Sequence, residues 1–106
     1  MQIVKTPTSK NYQDYLLSAL NDPERVAKTI EVVLQESEDL SGLLRLTLMD
    51  IMEAKIHNNT LSNEAKLAFD KLDQILVKSN GTEIYALVTL LSTLELQIKV
   101  DSVFKT

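Results

Sequence analysis

The sequence predicts a mainly α fold of five or six helices with a short C-terminal β-strand. Three observations carry this. Apolar residues recur three and four apart through most of the chain, the spacing of one helix face. Asn, Asp, Ser, Gly and Pro fall between these stretches, where helices start and stop. Only the tail "LQIKV" alternates strictly, with Leu96, Ile98 and Val100 against Gln97 and Lys99, as a half-buried strand does.

Taken in order, Ser9 is a helix N-cap, since its hydroxyl can accept from the unpaired amides of a first turn. Tyr12, Tyr15, Leu16, Ala19 and Leu20 form the stripe of a helix over residues 11–20. "NDPER" resets the chain. Asp22 caps, and Pro23 takes the first helical position, where its missing N–H costs nothing. Val26, Ala27, Ile30, Val33 and Leu34 line the second helix, and the polar "ESEDLSG" ends it. The third helix carries Leu43, Leu44, Leu48, Ile51, Met52 and Ile56, with Leu46 and Met49 on its other sides. Apolar around much of its circumference, it belongs at the centre of the fold. "HNNT" is a loop. "KSNGTE" contains Asn80 and Gly81, which tolerate the positive φ of a helix end. Thr82 caps a last helix over residues 83–93, lined by Ile84, Leu87, Val88, Leu90, Leu91 and Leu94. The strand at residues 95–101 needs a partner for its ladder, either the N-terminal "QIV" or the same strand of a second molecule.

The bulk numbers limit function. A chain of 106 residues suits one domain, here with N-terminal helices over residues 9–56 and a core over residues 57–94. Apolar residues are 44 % and charged residues 25 %, an ordinary globular balance. The absence of Cys removes disulfides, thiolate chemistry and Cys-based zinc sites. His57 is the only His and no metal site by itself. No nucleophile–base pair and no phosphate-cradling Gly loop is present, so neither an enzyme nor a cofactor is expected. "MQIVKTPTSK" lacks a signal-peptide core, and the apolar run at residues 84–91 is too short to span a bilayer. A cytoplasmic protein with no membrane partner is expected.

Net charge is −4, the wrong sign for a generic nucleic-acid binder. The acidity lies early: residues 1–60 hold six basic and nine acidic side chains. Residues 61–80 hold Lys66, Lys71 and Lys78 against Glu64, Asp70 and Asp73. The stretch "LSNEAKLAFDKLDQILVKSNG" has two readings. Leu61, Ala65, Ala68, Leu72 and Ile75 make one unbroken stripe with no Gly or Pro, and propensity favours a single helix over residues 62–77. The same spacing fits two short helices joined by a tight turn. Hydrogen bonding near residues 66–68 separates the two.

A resemblance favours the turn. "LMDIMEAK", "KLDQIL" and "LVTLLSTLELQIKV", preceded by "YLLSALNDPERVAKTIEVVLQES", follow in order and spacing the antidote (antitoxin) proteins of bacterial addiction modules. Those carry a Cro/repressor-type helix-turn-helix. The likeness covers residues 12–100 and rests on the order of its pieces rather than on one motif. It implies a helix-turn-helix-like core, with a first helix at residues 61–65, a turn at 66–68 and a recognition helix at 69–77. Leu67 and Leu72 would anchor it, and Phe69, Asp70, Lys71, Asp73, Gln74 and Lys78 would face DNA. Gln can bond adenine, Lys can reach guanine or phosphate, and Phe can touch a thymine methyl. The sequence departs from the pattern where Lys66 replaces the turn Gly, at about 1 kcal/mol of strain in a left-handed conformation, and where "AFD" opens the recognition helix. Asp70 and Asp73 would repel phosphate. The resemblance thus implies a transcriptional regulator that binds operator DNA as a homodimer and neutralises a basic toxin, drawn by the acidic N-terminal half. The rival expectation is a protein-interaction module on this scaffold, without DNA binding.

Overall fold

The computed structural model describes residues 19–36 and 42–103. The expected Ser9 cap, the "QIV" segment and all but the end of the helix at residues 11–20 lie outside them. Four helices are described: α1 (Pro23–Leu34), α2 (Leu43–His57), α3 (Asn63–Ser79) and α4 (Thr82–Thr93). The mainly helical expectation holds. The count differs from five or six because the expected first helix falls mostly on residues outside those described, and the two helices expected at 61–77 are one.

Local chemistry sets the helix ends. Asp22 accepts from the Glu24 N–H at 3.0 Å, and Pro23 opens α1. Ser62 caps α3, its Oγ accepting from the Ala65 N–H at 3.1 Å. Asn59, Asn80 and Glu95 all have positive φ and end α2, α3 and α4. After α4 the Glu95 N–H donates to the Ser92 carbonyl and the Leu96 N–H to the Leu91 carbonyl, the paired bonds of a Schellman ending. Asn80 and Gly81 are left-handed as expected. Thr82 is not the cap of α4 but its first residue, and its hydroxyl donates back to the Ser79 carbonyl at 2.6 Å.

The core has two parts. Val33, Leu44, Leu76 and Tyr85, one from each helix, form the first, with Leu34, Leu48, Leu72 and Ile84 against it. Leu20, Ile51 and Ala54 form the second, with Val26, Ile30, Leu48 and Met52. Leu48 packs on both, so α2 is central, as its apolar circumference predicts. The outer residues of α2 (Leu43, Leu46, Met49 and Ile56) stay exposed. The Tyr85 hydroxyl donates to the Val33 carbonyl at 2.8 Å, which also accepts from the Glu36 N–H at 3.4 Å at the end of α1.

Two expectations fail. There is no turn at residues 66–68: α3 runs unbroken, and the Lys66 N–H donates to the Ser62 carbonyl at 3.0 Å. With no Gly or Pro from Leu61 to Ser79, nothing offsets the strain of a left-handed Lys66, and the helix continues. Nor is there a C-terminal strand among the described residues. Of the residues expected inward, Ile98 and Val100 are half-buried but Leu96 is 56 % exposed, with Gln97 and Lys99 also exposed, and no described strand pairs with the tail. Side chains of α1 and of its C-cap take its backbone groups instead: Gln35 Nε2 donates to the Ile98 carbonyl at 3.1 Å, and the Val100 N–H donates to Glu31 Oε1 at 2.9 Å.

Candidate interaction surface

The six side chains expected to face DNA do not share a face. The inward side of α3 carries Ala65, Phe69, Leu72 and Leu76, so Phe69 is half-buried. Leu67, expected as a core anchor, is 63 % exposed on the opposite side. Its place inside belongs to Leu76, which is 2 % exposed. Asp73 turns toward α2 and accepts from Arg45 Nε at 2.6 Å and Nη2 at 3.2 Å, a bidentate pair with geometric specificity. This bond to Asp73, against partial desolvation, holds the Arg45 guanidinium above its ordinary pKa. Asp70 accepts from Lys66 Nζ at 3.2 Å. Lys71, Gln74 and Lys78 remain, exposed together on the outward side of α3, and no carboxylate lies between them on that face.

Glu31 is the most buried charged side chain described and is 6 % exposed. The Val100 N–H, then Lys28 and Lys99, hold its carboxyl below the ordinary glutamate range against the opposing effect of burial. Asp50 moves the other way, raised by desolvation and by the neighbouring Glu53. It lines a cleft of about 440 Å³ with Arg25, Lys28, Thr29 and Thr47. Both cations there are turned toward carboxylates of their own segment, Arg25 to Asp22 at 3.9 Å and Lys28 to Glu31 at 3.3 Å. The cleft therefore has the charges of a solvated surface rather than converging groups aimed at a ligand. Among the described residues no three His, Asp or Glu side chains gather as a metal-holding group, and no helix is long and apolar enough to cross a membrane.

The feature that stands out is apolar. Leu87, Leu90 and Leu94 lie three and four apart along α4 and are each 50–57 % exposed, while Tyr85 and Val88 bury the opposite side of the same helix. Leu96 adjoins them past the helix end, 56 % exposed. The helix is thus apolar on two sides, and only one of them is covered. Sequence periodicity treats both sides as core and cannot separate them; the separating signal is that α4 has more leucines than one face can hold. No family model, no curated protein and no solved structure matches this chain.

Proposed function

We propose that this chain is a helical protein-interaction module that acts through the open leucine side of α4, on a scaffold whose sequence resembles the antidote proteins of addiction modules. The observation that carries this is the row Leu87, Leu90 and Leu94. Contiguous exposed apolar surface of this kind marks contact sites on small proteins. The reading keeps the partner that the resemblance implies, a basic toxin, and matches it to a chain of net charge −4, because opposite fields speed and orient docking. It does not need the turn that α3 lacks.

A second reading, operator DNA, has one observation in its favour. Asp70 and Asp73 are engaged by Lys66 and Arg45, which leaves Lys71, Gln74 and Lys78 clear on the outward side of α3. Two lysines supply few of the phosphate contacts that drive DNA affinity, so this reading comes second.

One experiment weighs both. The purified chain and its Leu90→Glu variant are titrated with a small basic protein of the toxin class that the resemblance implies. The chain and a Lys71→Ala/Gln74→Ala variant are titrated with DNA from upstream of the gene across a salt series. The proposal expects a stoichiometric protein complex weakened at least about tenfold by Leu90→Glu, a loss of about 1.4 kcal/mol. DNA binding that falls steeply with salt and is lost in the double variant, with no protein complex, would overturn it for the second reading.

A further inference from the structure

Apart from the leucine row, we infer that the face of α1 beneath the tail is a binding site for an extended segment of a partner protein with apolar residues two apart, and that the chain's own tail is its built-in competitor. The tail shows what the site recognises. Along residues 98–103 exposure alternates: Ile98, Val100 and Ser102 are half-buried, while Lys99, Asp101 and Val103 are exposed. That is the period of an extended segment. The bonds from Gln35 to the Ile98 carbonyl and from the Val100 N–H to Glu31 both engage main-chain atoms. The carbonyl of one residue and the N–H of the next but one point to the same edge of an extended chain. Four helical residues rise about 6.0 Å, and two extended residues about 6.6 Å. Glu31 and Gln35, four apart, therefore read one edge of the tail in step, and any extended segment offers them the same two atoms.

The site is built for an occupant. Glu31 and, one helical turn earlier, Ala27 are both buried, and they line one cleft with Val100 and Ser102. With no segment across them the Glu31 carboxylate would lose an amide donor, so one segment leaves as another arrives. Main-chain bonds of this kind give affinity, and the places of alternate side chains give specificity. Here those places are the ones Ile98 and Val100 fill. The hold on the tail is light at both ends, where Leu96 and Val103 are exposed. What protects it is its tether. The tail leaves the end of α4 directly, and a short link holds it at an effective concentration on the order of mM. A partner's segment is therefore kept out until the tail is released.

The test frees the site without altering it. In the full chain, Val100→Pro removes the N–H that Glu31 accepts and keeps residue 99 extended. All four helices precede residue 95, so helical content should be kept. Two labelled peptides serve as probes in fluorescence anisotropy: residues 95–103 of this chain, and the same peptide with Gln97→Ser, Lys99→Ser and Asp101→Ser. Both should bind the Val100→Pro chain with similar affinity. Both should bind the natural chain at least about tenfold more weakly, because its tethered tail competes. In the Val100→Pro background Glu31→Ala should abolish binding and Glu31→Gln should retain it, a pattern that loss of fold would not give. Leu90→Glu in that background should change nothing, which keeps this result apart from the fate of the leucine row. No binding to the Val100→Pro chain overturns the inference. Binding of the natural peptide alone makes the site a dock for the tail only and removes the partner. Loss of binding with Leu90→Glu places the peptide on the leucine row instead. If the natural chain sediments as a dimer that Val100→Pro dissolves, the site holds the tail of a second copy and the inference fails.

Discussion

Glu31 shows how much a single side chain organises. An acid in mid-helix with so little exposure is unusual unless it is paired, and here the Val100 N–H and Lys28 Nζ occupy its two oxygens. Its folded pKa lies below the ordinary 4.5. The stabilisation it supplies is therefore complete above about pH 4.5 and is lost as pH falls through the lower folded value. The groups facing it are Lys28, Lys99 and the Val100 amide. The expected outcome is that the Val100 amide resonance titrates with a midpoint below 4.5, the tail detaching as it does. Glu31→Gln keeps an acceptor and should abolish the titration while leaving the tail docked at neutral pH. Glu31→Ala should free residues 96–102 at every pH, seen as loss of amide-exchange protection. A midpoint at or above 4.5 would contradict the assigned bond.

At the scale of the element, the continuity of α3 decides what the molecule can be. A helix-turn-helix needs a break that aims its second helix independently of the first. Here Lys66 bonds back to Ser62 and forward through its side chain to Asp70, so residues 63–79 aim as one rod. Lys66→Gly reads this by the sign of its effect. In a helix interior Gly is about 1 kcal/mol less favourable than an ordinary residue, and the exposed ion pair to Asp70 adds a few tenths at most. At a left-handed turn position the same change would relieve about 1 kcal/mol of strain. Chemical denaturation should show the variant less stable by about 1 kcal/mol, and a gain in stability would restore the turn. Propensity favours one helix over residues 62–77, because that signal is local: an apolar stripe in a run without Gly or Pro. The antidote-like order of residues pointed to the turn, yet Lys66 stood where that pattern has Gly, and the backbone follows the residue that is present.

Across the whole molecule, what was legible and what was not divides by distance along the chain. Asp22–Pro23 and Asn80–Gly81 mark helix ends in the sequence because each acts on its own neighbours. The tail's alternation was equally plain, but not its partner, since Glu31 and Gln35 lie more than sixty residues away. The face of α3 depends on distance in the same way: Arg45 draws Asp73 inward from another helix, which brings Phe69 and Leu76 in and turns Leu67 out. Such long-range ties also decide whether two core clusters unfold as one. Leu76 belongs to the first cluster and Ala54 to the second, and Leu48 touches both. Leu76→Ala should lower stability by about 2–5 kcal/mol, as truncation of a fully buried leucine does. That is a large part of the roughly 5–15 kcal/mol of a small domain. If Leu48 couples the clusters, the slowest-exchanging amides around Ala54 lose the same free energy as those around Leu76. In a Leu48→Ala background the loss should stay confined to the Leu76 side. Equal losses in both backgrounds would mean that the helices α1 and α2 carry the coupling by themselves, and Leu48 would be packing without transmitting.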